Sequence, residues 1–288
     1  VQDIYYNHKD DFIYLLTSQI YSDLFKKNPN IKEVIVDKRL SRFNLIYLFS
    51  LMKKIKQHNF TKVYDLQNSS RTSFYKKILF PNLGSYKWSS SETTLPANET
   101  KKEFDKKPVL ERFDHQLKIS GLKTFHTLKP DFSWGCSNID KLISKYNLSD
   151  YILLFPFCSE HLQQKKWPYY DQLIKLIKQN HPNLKIVIAP GPDEIEKAKK
   201  LDAVSILKED KAISISELAG LIKRSKFVVA NDTGPAHMAA HLNVKGLSLF
   251  GSHTTAHKVS IERENFKAIQ VSDLKNLSAE KVFERLVL

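Results

Sequence analysis

Cysteine is almost absent from this chain. Cys136 and Cys158 are the two in 288 residues, set far apart and outside any metal-ligand spacing. A disulfide framework and a zinc-type cysteine motif are therefore excluded, and a reducing compartment is expected. Long apolar runs are missing as well. The longest uncharged apolar stretch, residues 43–52, is far too short to span a bilayer, and no secretory signal is visible. No RNA-binding motif, no aromatic–basic alternation and no solenoid repeat occurs, so a nucleic-acid partner is not expected.

What is present is ordinary in kind but lopsided in charge. Hydrophobic residues make up 42% and charged residues 26%, the balance of a soluble globular protein. At 288 residues the chain can bury one large core or, more typically, two. The formal net charge of +14 favours anionic partners such as phosphorylated substrates or phospholipid.

Strand and helix patterns alternate along the chain. A helix tail over 1–6 precedes a strand over 12–16, a short helix over 21–27 and a strand over 33–36. The spacing then predicts a helix over 45–57, a strand over 62–65, and a helix ending near Leu79. Residues 87–107 turn polar and lose periodicity, which predicts a mobile loop. Helical spacing returns over 109–120, and 127–137 reads as a linker. A buried strand over 151–155 opens a second half. Helices follow over 169–180, 194–201, 216–223 (with Ser216 as cap) and 278–287, and strands over 185–189, 204–207 and 267–271. Such alternation argues an α/β chain with parallel sheets: two Rossmann-like domains, residues 1–137 and 138–288.

The most informative stretch is residues 226–251. Two short apolar runs, 227–230 and 246–250, flank a turn of Asn231, Asp232, Thr233, Gly234 and Pro235. Asp232 or Thr233 can cap free amides, Gly234 allows a tight backbone, and Pro235 suits a first helical position. A helix opening beyond a strand's carboxyl end presents unpaired N–H groups to phosphate, and His237 sits in its first turn. By pattern alone, an ordinary strand–helix–strand connection with a good cap explains the stretch equally well.

Asp232, Thr233, Gly234, Pro235, Ala236 and His237, followed by Ala239, Ala240 and Leu249-Phe250-Gly251, resemble the signature of glycosyltransferase family 9, the lipopolysaccharide heptosyltransferases. Lys165, Trp167 and Pro168 resemble that family's Lys-x-Trp-Pro element. Asp65-Leu66-Gln67 followed by Arg71 resembles a third motif, in the acceptor-side domain. The resemblance implies a GT-B-type fold with its two domains facing a cleft. It also implies inverting, metal-independent transfer of a heptose or related sugar from an ADP-sugar to a lipopolysaccharide core or similar anionic glycolipid.

Residue by residue, the resemblance implies that Lys165 contacts the donor phosphates and helps the leaving group. Ser159 lies in the hydroxyl-rich loop before it, although Glu160 and His161 replace the family's small or hydroxylic residues. Asp232, Thr233, Gly234 and His237 would hold the diphosphate, Glu194 the ribose, and the backbone at Ile213 the base. Gln67 and Arg71 would face the acceptor. Taken alone, Lys165 is a lysine in a basic loop, and Arg71 is equally a solvated surface arginine. His237 and His241 are spaced like zinc ligands, but Met238 stands where HExxH has glutamate, so no metal and no cofactor is expected.

The family opens with a strand and turn that carry its proposed base. Here residues 1–4 read as the helix after that turn, so the first strand of this domain looks absent and no base is assigned, Asp3 lying within the helix. An epimerase of the same architecture and an inactive nucleotide-sugar-binding module are the alternatives. A cytoplasmic enzyme, in peripheral contact with the inner membrane, is the expected setting.

Overall fold

In the computed structural model, which describes residues 1–80 and 87–288, chain contacts separate Val1–Pro130 from Asp131–Leu288. The division falls before Ser137, where the linker was expected to end. Residues 131–137 bond into the second unit instead: Phe132 N–H donates to His241 O and Ser137 N–H to Ser216 O.

In the first unit, α1 (Gln2–Asn7) precedes β1 (Tyr14–Ser18), α2 (Gln19–Lys26) and β2 (Glu33–Asp37). β1 and β2 pair in parallel, from Tyr14 opposite Glu33 to Ser18 opposite Asp37. β1 starts later than expected because Phe12, apolar but 75% exposed, stays outside the pairing. α3 (Leu45–Lys56) is capped by Asn44, whose side chain accepts from Tyr47 N–H. β3 (Val63–Tyr64) leads to α4 (Ser70–Leu79), closed by a reciprocal box between Ser69 and Thr72. Leu48, Leu51 and Ile55 of α3 and Tyr75 and Leu79 of α4 form one cluster with Ile35 of β2.

Residues 87–107 are not an unstructured loop. β4 (Trp88–Ser89) pairs in parallel with β3, and Ser89, Ser90, Ser91 and Thr94 are buried. Polarity alone suggested a loop, but several of these hydroxyls are hydrogen-bonded within the fold: Thr93 Oγ1 donates to Trp88 O at 2.7 Å, Thr94 Oγ1 to Ser90 O at 2.8 Å, and Ser120 Oγ to Ser89 Oγ at 2.7 Å. α5 (Lys101–Phe104) and α6 (Val109–Ile119) follow. Gln116 of α6 donates to Asp65 O and Ser89 O.

The second unit is built on one parallel sheet. Its elements are α7 (Asp140–Tyr146), β5 (Tyr151–Phe155), α8 (Tyr170–Asn180), β6 (Lys185–Ile188), α9 (Ile195–Ala198), β7 (Val204–Ser205) and α10 (Ile215–Arg224). Then come β8 (Phe227–Asn231), α11 (Gly234–His241), β9 (Gly246–Phe250), α12 (Ala256–Val259), β10 (Phe266–Gln270) and α13 (Ala279–Phe283). The strand order is β10-β9-β8-β5-β6-β7. Alternate residues of the central strands serve opposite faces. Leu153, Phe155, Val228 and Ala230 pack toward Leu221, Ile222 and Ala236, while Ile152, Leu154 and Val229 pack toward Trp167, Leu173 and Val282. Both faces are covered, which is why these strands read as continuous apolar runs. Gly246 is required where β9 starts: a Cβ there would lie 2.7 Å from both Val228 O and the Phe266 ring.

α10 is capped by Ser214, not Ser216. Ser214 and Glu217 form the reciprocal box, and Ser216, the second helical residue, is buried. The last helix stops at Phe283 rather than continuing to 287.

Candidate functional site

The chain order of the six strands reverses between β5 and β8, which are hydrogen-bonded neighbours. Connections leave such a pair in opposite directions and open a crevice at the strands' carboxyl ends. The loop after β5 carries Lys165; the loop after β8 carries Asp232. The two meet there, Lys165 Nζ donating to Asp232 Oδ2 at 2.7 Å and to Asp232 O at 3.3 Å.

Trp167 explains why Lys165 arrives at that point. Its indole is fully buried, edge-on to Tyr170 with centroids 4.9 Å apart, and its Nε1–H donates to Leu277 O at 2.8 Å. Its backbone N–H donates to Asn231 Oδ1 at 3.1 Å. The loop after β5 is thereby bolted to the end of β8 two residues beyond the lysine.

Asp232 is a crossroads. Its carboxylate, with 3% of the side chain exposed, also takes His253 Nε2 at 3.1 Å and stands 3.4 Å from His237 Nε2. Burial opposes its charge. Hydrogen bonds from His237 and Lys165, the lysine's charge and a hydrogen bond from His253 outweigh that cost, and its pKa falls below the usual carboxylate range.

That engagement corrects one expectation. Neither Asp232 nor Thr233 caps α11 through its side chain, because Asp232 is turned toward Lys165, His237 and His253 and Thr233 Oγ1 donates to Asn231 O at 3.3 Å. The helix start is left without a side-chain cap, and a Cβ placed on Gly234 meets nothing within 4 Å. An uncapped helix N-terminus, open space before it and an ammonium beside it together suit a diphosphate.

The other residues singled out by sequence are placed less centrally. Ser159 is exposed at the start of the turn that ends in Lys165. Glu194 lies in the loop after β6, its carboxylate accepting from Gly191 N–H at 2.8 Å, whereas Glu196 pairs outward with Lys199. Ile213 packs its side chain on the core just before α10. In the first unit Gln67 is exposed beside the turn that Asp65 makes with its N–H. Arg71 is not a free surface arginine: it donates to Tyr75 Oη at 2.7 Å and to Leu40 O at 3.0 Å.

The sequence carries no sign that His253 belongs at Asp232. Its ring stacks on Phe250 with an 11° interplanar angle, and its Nδ1 is buried without a partner. No spacing rule links residues 232 and 253; only the pairing of β8 with β9 brings them together. Among the described residues no group of three His, Cys, Asp or Glu side chains is arranged to hold a metal ion. An open groove of about 740 Å³ in the first unit, lined by Tyr5, His8 and Lys32 among others, contains none of the residues named above.

His241, at the far end of α11, has its pKa lowered to about 4 by burial, with Arg263 and His237 adding to the effect. The unfolded chain takes up this proton near pH 6.5 and the folded one does not, so folding loses stability as pH falls from about 6.5 toward 4. The ring is partly exposed by area, so the expected loss is about 1–3 kcal/mol rather than the full value of the shift. Urea melts across this range should show that slope, and His241→Gln should remove it.

Comparison with known proteins agrees with the geometry. The model of glycosyltransferase family 9 (heptosyltransferase) matches residues 48–285. Lipopolysaccharide heptosyltransferase 1 of Campylobacter coli is 22% identical over 293 aligned positions, covering 93% of this chain and 84% of the relative. Among solved structures, the ADP-heptose heptosyltransferase II of E. coli is similar with a TM-score of 0.71 at 15% identity, covering 99% of this chain and 91% of that one. E. coli heptosyltransferase WaaC with ADP follows at 0.70 and 16%, covering 98% and 92%. At those identities the structures establish the fold, which is of the GT-B type. With the family model spanning most of the sequence, this chain belongs to glycosyltransferase family 9, the heptosyltransferases, and is a glycosyltransferase.

Proposed function

We propose that the chain transfers a heptose or closely related sugar from an ADP-sugar to a lipopolysaccharide core or similar anionic glycolipid, with inversion and without a metal. The observation that carries this reading is the Lys165–Asp232 pair at the switch point, beside the uncapped start of α11. A departing ADP needs its new negative charge stabilised. Lys165, the first amides of α11 and His237 would do so. Ser159 adds a hydroxyl to the same loop, Glu194 would receive the ribose hydroxyls, and the backbone at Ile213 would line the base. Gln67 and Arg71 serve the acceptor side in this reading.

No general base is assigned to Asp3. It is 1% exposed and accepts from the N–H groups of Phe125, His126 and Thr127 and from Thr127 Oγ1. Burial raises its pKa, but those four donors lower it further still. A carboxylate so occupied is a poor proton acceptor. It ties residues 125–127 to α1 instead.

Among the described residues no helix is long and apolar enough to cross a membrane. The proposed setting is the cytoplasmic side, in peripheral contact with the inner membrane. Calorimetry with ADP in the presence of a chelator tests the donor half of the reading. Binding is expected without added metal; no heat at millimolar ADP with folded protein would sink it. Acceptor-dependent ADP release from an ADP-sugar then separates a transferase from an epimerase, which acts without an acceptor, and from an inactive binding module.

A further inference from the structure

We infer that the surface formed by residues 38–44 and the outward side of α3 docks on an anionic phospholipid bilayer. α3 is apolar on two sides. Leu48, Leu51 and Ile55 are spent on the core, yet the opposite side starts with Leu45, Ile46 and Phe49, which are 63%, 85% and 66% exposed. Phe43, just before the helix, is 92% exposed. Large apolar side chains so fully and contiguously exposed on a charged protein mark a contact surface.

Charge identifies the occupant. From Lys38 to Tyr64 the chain has seven Lys or Arg residues and no Asp or Glu. Lys53 and Lys56 fall one to two turns after Phe49 on the same exposed side, and Lys38 and Arg39 flank the loop. An apolar tip with a basic collar is the chemistry of an interfacial helix on anionic lipid, the apolar groups entering the headgroup boundary and the cations staying at its surface. A second copy of the chain is disfavoured, since two such faces would bring like charges together.

The loop is presented rather than loose. Asp37 accepts from Arg39 N–H at 2.7 Å, Arg42 donates to Ser70 Oγ at 2.8 Å, and Arg71 holds Leu40 O. Phe43 therefore projects from a fixed base.

The inference localises the peripheral contact in the reading above, but its test uses neither nucleotide nor acceptor, so either can fail alone. The full chain is sedimented with sucrose-loaded vesicles of phosphatidylglycerol and phosphatidylcholine, and with phosphatidylcholine alone. Binding is expected to the anionic vesicles and to be at least tenfold weaker for neutral ones. The triple variant Phe43→Ser, Ile46→Ser, Phe49→Ser should lose at least about tenfold at an unchanged melting temperature, because no core contact is removed. Lys53→Glu with Lys56→Glu should lose a similar amount. In Phe43→Trp, fluorescence should shift to the blue and be quenched by brominated lipid. Equal sedimentation of the wild type and the triple variant, or no preference for anionic lipid, would overturn the inference. A concentration-dependent dimer abolished by the triple variant, with no vesicle binding, would overturn it in favour of a second copy.

Discussion

Lys165→Ala should weaken ADP binding at least tenfold, whereas Lys166→Ala should change it little. A charge-assisted contact to phosphate contributes about 1.5–3 kcal/mol, which corresponds to roughly tenfold to 150-fold. The surroundings push the effect toward the upper end. Lys165 is the nearest cation to the buried Asp232 carboxylate, at 2.7 Å. Without it an incoming diphosphate meets that carboxylate offset only by His237 and His253. Removing one partner of a buried ion pair leaves the other uncompensated, so some loss of stability should accompany the loss of affinity. Lys166 is exposed, and no hydrogen bond joins it to Asp232 among the described residues. Calorimetric titration of both variants is decisive: equal losses would mean that the phosphate site lies elsewhere.

Trp167→Ala should cost about 3–5 kcal/mol of folding stability, the usual range for emptying a fully buried aromatic site. Three things change at once. The indole loses Tyr170 and its cluster with Leu173 and Val282, Leu277 O loses its donor, and a cavity opens beneath the loop after β5. The bolt from the backbone of residue 167 to Asn231 Oδ1 would then rest on a loosened support. Lys165 sits two residues away, so ADP affinity should fall even at temperatures where the protein remains folded. Trp167→Phe keeps the ring but not the Nε1–H bond, and should recover most of the affinity with part of the stability. If Trp167→Ala unfolds readily yet binds ADP as the wild type does, the tryptophan positions nothing.

Local chemistry made much of this protein legible in its sequence. β5 and β8 are continuous apolar runs because both faces of their sheet are covered, and such runs need no tertiary knowledge to be seen. The motif residues Lys165 and Asp232–His237 were legible through a resemblance of residue types at fixed spacing. Partners contributed by distant elements were not. His253 reaches Asp232 only through the pairing of β8 with β9, and Ser214 displaces Ser216 as cap because Ser137 N–H takes Ser216 O and helps hold that residue inside.

The same limit governed the polar segment 87–107 and the helix start at Gly234. A hydroxyl can be buried where its hydrogen bond is made within the protein, so composition read as loop what the chain folds around β4. Asp232 has helix-capping chemistry in isolation, but a lysine 67 positions earlier and two histidines claim its carboxylate first. Sequence alone determined most of the strands and helices, which follow from period and side-chain type, but not β4, α5, α7 or α12. Which donor meets which acceptor at the switch point was decided by tertiary structure, because a hydrogen bond depends on distances that only the closed sheet sets.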